Sequence, residues 1–225
     1  MGRTSPAAPG LATAAVVARD RLPANPPRTV GGADAAYSRD DRIGRVALAV
    51  MRAPFDGEPV CLASGEFRVA APYRPGRLAE REAGPVLELL EAVSVLPDVL
   101  LVDGHGLAHP RRFGLACAIG VAADLPTIGV AKSPLVGRFA EPGPERGSVA
   151  PVIDRGETVG AAVRTRTGVR PVFVSVGHRV SLETAVAIVL ACSPRFRIPE
   201  PLRAAHRAAR RIEERARPEG PGRLR

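Results

Sequence analysis

The 225 residues suffice for one sizeable α/β core and are too few for two full domains. An apolar share of 45% with 4% aromatics and no tryptophan suits an aliphatic core of Val, Leu, Ile and Ala. Lys and Arg outnumber Asp and Glu by 32 to 23, a formal net charge of +9, which selects polyanionic partners, nucleic acid first and an anionic membrane surface second.

Residues 11–21 have alanine-rich helical character, and residues 23–27 form a proline-stiffened connector. Residues 30–37, 45–51 and 60–70 are rich in Val, Ala and Leu and read as strands, with a turn-like segment at 54–58 between the second and third. They predict a three-strand antiparallel meander. After a loop at 72–76 holding two prolines and a glycine, residues 77–95 show the apolar spacing of a helix, with Pro85 as an internal flaw. Residues 98–102 read as a strand buried on both faces, 112–122 as a helix and 126–131 as a strand. Residues 158–165 and 172–176 follow as two more strands. Residues 181–192 form a helix capped by Ser181, with Glu183 in its first turn. The basic helical pattern at 202–217 is expected to sit on the surface or to fray.

This order predicts an α/β domain with a mixed sheet, three antiparallel strands then alternating helices and strands, and helices on both faces. It is the order of the ribonuclease H-like fold. The organisation expected is an N-terminal helix and linker at 1–27, a catalytic domain at 28–201 and a basic C-terminal tail at 202–225. Cys61, Cys117 and Cys192 are odd in number and lack C-x-x-C spacing, so reduced thiols are expected in place of a disulfide framework or zinc ribbon. No apolar run approaches a membrane span and residues 1–10 lack the pattern of a signal peptide, so a cytoplasmic protein without membrane association is expected. A monomer is the expected state.

The chemistry concentrates where the strand at 98–102 opens into Asp103-Gly104-His105-Gly106, followed by His109-Pro110-Arg111-Arg112. A carboxylate at the C-terminal end of a buried strand lies where ligands gather in α/β sheets, and neighbouring glycines let backbone approach a ligand. Lys132, the single lysine of the chain, leaves the strand at 126–131 at the same sheet edge. Its compact ammonium differs from the planar fork that arginine supplies everywhere else. Asp34 lies in the first strand, and pairing of that strand with the one ending at Asp103 brings the two acids together. Such a pair repels unless a cation intervenes, and oxygen-only ligands favour Mg²⁺ or Mn²⁺ over zinc. A third acid comes from the helix at 77–95, where spacing alone does not choose between Glu80 and Glu82.

His105, His109 and His178 fall in glycine-adjacent loops after apolar strands, whereas His206 lies in the basic tail and is expected to take no part. The H-x-x-x-H spacing of His105 and His109 does not predict zinc, because Gly106 and Pro110 oppose a helix there. Tyr73, set between prolines, reads either as a wedge for a base stack or as a core tyrosine at a helix entry.

Taken together and in order, several pieces resemble the endonuclease V family, the deoxyinosine 3′-endonucleases. They are Gly32-Ala33-Asp34 with Tyr37, Pro72-Tyr73-Arg74-Pro75-Gly76, Arg81-Glu82, the segment from Val102 through Gly106 with His109-Pro110-Arg111, Ile128-Gly129-Val130-Ala131-Lys132, and Gly177-His178-Arg179. The likeness runs from residue 11 to residue 201. It implies a nuclease that recognises hypoxanthine in damaged DNA and hydrolyses the second phosphodiester bond on its 3′ side, leaving the base in place. It further implies metal carboxylates at Asp34, Glu82 and Asp103, with Lys132, His109 and His178 assisting at the phosphate and water. The implied wedge is Pro72, Tyr73, Arg74 and Pro75, the implied base pocket is the backbone near Gly76, Leu78 and Gly104, and the implied cofactor is Mg²⁺, for which Mn²⁺ substitutes. Hypoxanthine lacks the exocyclic amine of adenine and pairs poorly, so turning it out of the duplex costs less than for a sound base.

The chain departs from that pattern at Arg74, where an aliphatic residue is usual, and at Arg77, where an aromatic or aliphatic residue is usual. A more cationic loop is expected to grip phosphates and to make binding fall steeply with salt. The N-terminal helix also lacks a glutamine usual there. Two other readings remain from sequence: a nuclease of the same fold acting on inosine-containing RNA or on mismatched or branched DNA, and a non-catalytic nucleic-acid binding module. The presence of Asp34, Glu82 and Asp103 together argues against the last.

Overall fold

A computed structural model describes residues 15–69, 72 and 74–215, with side chains as far as residue 210. Its strands are β1 (Thr29–Tyr37), β2 (Ile43–Arg52), β3 (Cys61–Arg68), β4 (Val99–Asp103), β5 (Thr127–Ala131), β6 (Val149–Asp154), β7 (Glu157–Val163) and β8 (Val172–His178). The helices are α1 (Ala79–Ala92), α2 (Leu115–Ala123), α3 (Leu182–Ala191) and α4 (Glu200–Arg215).

One sheet of eight strands runs in the order β3-β2-β1-β4-β5-β8-β7-β6. The pairs β1–β2 and β2–β3 are antiparallel, as expected of a meander, whereas β1–β4 and β4–β5 are parallel. From β5 outward β8, β7 and β6 are again antiparallel. This is the mixed sheet of a ribonuclease H-like fold.

Alternation along the central strands builds a different layer on each face. In β2, Val46, Leu48 and Val50 pack with Val86 and Leu90 of α1 and Leu115 and Ile119 of α2. Ala47 and Ala49 point the other way, onto Ala204, Ala205, Ala208 and Ala209 of α4. The large residues fill one layer and the small ones let a helix backbone come close on the other. Val30, Leu101, Ile128, Val130 and Val174 extend that second face beneath Ala185, Ile188 and Val189 of α3.

Three local expectations need correction. The basic stretch after residue 201 neither frays nor lies loose as far as Ala209, because its alanines at i, i+1, i+4 and i+5 make one continuous face that the sheet covers. Residues 15–21 form no helix; instead Arg179 N–H donates to Val17 C=O at 2.6 Å and Arg21 N–H to Arg179 C=O at 3.0 Å. Ser181 caps α3 as expected, its hydroxyl accepting from Thr184 N–H at 3.1 Å, and Asp20 accepts from Ser181 N–H at 2.7 Å and from the Thr184 hydroxyl at 2.8 Å. Alanine's helical preference is worth only tenths of a kcal/mol per residue and yields to such tertiary pairing. The rest of that expected helix, residues 11–14, lies outside the described residues. Finally, β6 has no counterpart among the expected strands; it holds Pro151 and is the edge of the sheet, where a residue without an N–H is tolerated.

Candidate active site

The parallel register of β1 and β4 places Ala33 opposite Val102, so the next residues, Asp34 and Asp103, leave the sheet side by side. Ala33 and Val102 belong to the α1–α2 layer, hence the two acids point to the α3–α4 face. Asp103 is in turn opposite Val130 of β5, and Lys132 emerges two residues further on the same face. Lys132 Nζ lies 2.6 Å from Asp103 Oδ2. The common sheet edge expected of Asp34, Asp103 and Lys132 is therefore observed.

A fourth side chain joins them. His206 Nδ1, on α4, lies 2.6 Å from Asp34 Oδ2, so the histidine set aside as inert is in the site. Burial raises the Asp34 carboxyl, and the Asp103 charge adds to it, to about 6; the His206 hydrogen bond and Lys132 oppose the rise. For Lys132, burial alone would favour the neutral amine, but the charge and hydrogen bond of Asp103 outweigh it and its pKa is raised.

Glu82 approaches from the opposite layer, in the first turn of α1. It is 6% exposed, and its Oε1 accepts a 2.5 Å hydrogen bond from the Tyr37 hydroxyl. Burial raises its pKa to about 7, with the Asp34 and Asp103 charges adding to the rise and Tyr37 and Arg81 opposing it. Arg81 stacks 4.2 Å from the Tyr37 ring centroid and is bound through both terminal nitrogens to Asp41. Glu80, the competing acid, faces solvent among Arg77 and Arg111. Geometry thus separates the two glutamates that helical spacing left equivalent.

Of the residues expected to form a base pocket, Gly76 and Leu78 lie just before α1 and Gly104 just after β4. Gly76, at φ +75°, requires a left-handed backbone that glycine adopts freely. Its carbonyl accepts from His109 Nε2 and from Arg111 Nη2, both at 2.9 Å. Because Arg111 N–H donates to His109 Nδ1 at 3.2 Å, that ring nitrogen is the acceptor and Nε2 carries the proton. A Cβ at Gly104 would lie 3.6 Å from Leu78, and one at Gly76 would lie 3.4 Å from His109 Nε2. His109 was expected to assist at the phosphate and water; instead both ring nitrogens are spent on backbone, and its place is to hold the Gly76 loop. Pro72, Arg74 and Pro75 are exposed beside it, and Tyr73 lies outside the described residues.

His178 is not in the site. The antiparallel register places it opposite Thr127, at the start of β5, while Lys132 follows the other end. Four residues of strand separate those ends by roughly 13 Å. There His178 Nδ1 accepts from Val17 N–H at 3.2 Å and Nε2 faces Asp124 at 3.7 Å, so it secures the N-terminal segment. Strand direction is the signal that a glycine-histidine pair after an apolar run does not carry.

A family model described as endonuclease V matches residues 12–207. The chain belongs to the endonuclease V family. It is 51% identical over 180 residues to an endonuclease V of Roseiflexus sp. (strain RS-1), covering 80% of each chain. The crystal structure of endonuclease V from Streptomyces avermitilis superposes with a TM-score of 0.85 at 43% identity, over 92% of this chain and 90% of that one. Endonuclease V of Ciona intestinalis, in complex with a DNA containing an inosine followed by a ribo-adenosine, gives 0.80 at 30% identity over 92% and 95%. The enzyme is accordingly a nuclease of the endonuclease V family.

In this chain the three acids do not form one tight cluster. Among the described residues, no three Asp, Glu, His or Cys side chains converge to hold an ion. Asp34 turns to His206, Asp103 to Lys132 and Glu82 to Tyr37. The donor set nevertheless fits Mg²⁺, which commonly takes one or two carboxylates and keeps several waters. Asp34 and Asp103 are such a pair, adjacent at the ends of β1 and β4.

Proposed function

We propose that the chain is a DNA repair endonuclease that recognises deoxyinosine and hydrolyses the second phosphodiester bond 3′ to it, with Mg²⁺ as cofactor and Mn²⁺ as substitute. The observation that carries this reading is the union of Asp34, Asp103 and Lys132 at one sheet edge with His206 of α4 facing them. The inosine-containing DNA bound by the Ciona relative supports the substrate.

Asp34 and Asp103 would hold the cation through oxygen, with Glu82 adding its charge from α1. Bound there, a hard divalent cation polarises the phosphate and lowers the pKa of an attacking water. Lys132 brings an ammonium to the same edge and offsets charge developing on the scissile phosphate. His206 fixes the orientation of Asp34, as Tyr37 does for Glu82. His109 and Arg111 clamp the Gly76 carbonyl, which keeps the loop backbone in place for the edge of a base turned out of the duplex. Pro72, Arg74 and Pro75, with Tyr73 between them in sequence, are the wedge that fills the gap left in the stack.

The test is a nicking assay on duplexes identical except for deoxyinosine or deoxyadenosine at one position, with and without Mg²⁺, and with the cut mapped at nucleotide resolution. We expect a single cut, one nucleotide beyond the base's own 3′ phosphate, only in the deoxyinosine duplex with Mg²⁺. Equal cutting of both duplexes would overturn the assignment. The Ciona ligand pairs inosine with a following ribonucleotide, so the series includes that substitution and an all-RNA strand; preferential cutting of inosine RNA would replace the DNA reading.

A further inference from the structure

Between the sheet edge and α4 lies a cavity of about 250 Å³. Its sheet side is the acid pair and Lys132; its helix side is Ile198, Leu202, Arg203, His206 and Arg207. The volume falls below the roughly 300–1,000 Å³ of pockets that enclose a small molecule. It suits one segment of a polymer that enters and leaves.

The helix side divides by chemistry. Leu202, which belongs to the core, and half-buried Ile198 supply the apolar part of the lining. Arg203 is committed elsewhere, paired with Glu200 at 3.3 Å and lying 3.5 Å over the Phe196 ring. His206 is committed to Asp34. Arg207, one turn after Arg203, is exposed on the rim and has no hydrogen bond or ion pair among the described residues. A strand lying here brings phosphates toward two carboxylates that repel them, and a guanidinium on the rim supplies the opposing attraction in bidentate form.

We propose that α4 provides a subsite for the sugar–phosphate of the substrate strand adjoining the scissile bond, with Arg207 as the group that grips its phosphate. The proposal rests on the endonuclease reading above and goes beyond it, since it places a substrate-binding element on α4. Arg207 orients the strand and takes no part in bond breaking.

The experiment compares wild type, Arg207→Ala and Arg207→Lys as full chains on the deoxyinosine duplex in Mg²⁺. For Arg207→Ala we expect KM to rise about fivefold or more with kcat nearly constant, and the slope of log affinity against log salt to shrink by about 0.9, one phosphate contact. Arg207→Lys keeps the charge and is expected to keep the slope. A duplex with a neutral methylphosphonate at the phosphate beside the cut should weaken wild type as Arg207→Ala does, without weakening Arg207→Ala further. Should Arg207→Ala prove unstable by thermal melting, Arg207→Gln, which retains the side chain's length, replaces it. Unchanged KM and salt slope, loss confined to kcat, or additive effects of the methylphosphonate and the substitution would each overturn the subsite. Failure of the wild type to cut the deoxyinosine duplex would instead overturn the substrate assignment.

Discussion

His206 Nδ1 and Asp34 Oδ2 meet at 2.6 Å across a separation of 172 residues. The contact ties β1 to α4 and orients one of the two acids that lie side by side at the sheet edge. His206→Ala should slow single-turnover nicking by roughly 10- to 100-fold, the usual effect of removing a partner that orients a metal-binding group. Its half-exposed side chain makes little core, so thermal stability should change little. Wild-type cleavage by this variant would show the contact to be idle.

Tyr37→Phe removes the hydroxyl that donates to Glu82 while keeping the ring against Phe67 and Arg81. A buried carboxylate left without its donor costs on the order of 1–3 kcal/mol. The loss should appear above the raised Glu82 pKa of about 7, where the group is ionised, and shrink below it. Urea unfolding at pH 5.5 and pH 8.5 measures it; equal losses at both would remove Glu82 as the cause.

The raised carboxyls give stability a definite sign with pH. Asp34 and Glu82 hold protons in the folded chain up to about 6 and about 7, well above their values in the unfolded chain. Their contribution is therefore complete below the ordinary carboxyl range and is lost as pH rises through those values. In chelator, melting temperature should fall over that interval. Glu82→Gln should flatten the fall and be more stable than wild type at pH 8 by roughly 1–3 kcal/mol. Nicking should run the opposite way, rising as the acids ionise and become able to bind a cation. A Glu82→Gln variant with the wild-type pH slope would contradict this account.

Lys132→Arg preserves charge and changes shape at the contact with Asp103. Slower cleavage, by about tenfold or more, with duplex affinity nearly unchanged is expected, because a planar fork does not place its charge where an ammonium does. Filter binding and single-turnover rates separate the two quantities, and an unaltered rate would return the single lysine to accident.

Gly32 is where α4 begins its descent onto the sheet: a Cβ there would fall on the Pro201 carbonyl group. Backbone cannot yield as a side-chain tip does, so Gly32→Ala should destabilise by about 1–3 kcal/mol and, by displacing α4, should depress nicking as well. Unperturbed melting and activity together would refute so tight a seat.

What could be read from sequence follows the range of the interactions involved. Asp103 and Lys132 were legible because each ends an apolar run, a local pattern that also fixes which sheet edge they share. Asp34 needed only the pairing of its strand with the next buried one. His206 was invisible because an arginine-rich helix with alanines on one face looks like a solvated surface until Ala47 and Ala49 are known to cover it. His178 was misplaced because a glycine-histidine pair after an apolar run has the same appearance at either end of a sheet, and only the antiparallel pairing with β5 decides. Helical spacing did not separate Glu82 from Glu80; the resemblance named Glu82, and the Tyr37 hydroxyl reaching across from β1 gives that choice a physical basis.

The order in which the parts of the site occur along the chain has a consequence for synthesis. Both aspartates, Glu82 and Lys132 leave the ribosome before the segment Glu200–Arg215, which carries His206 and Arg207. A translation product that stops short of Glu200 therefore possesses the acids without the wall that faces them. The orientation that His206 gives to Asp34 is thus supplied by a segment made after every acid of the site, and a polypeptide lacking it would hold Asp34 without that partner.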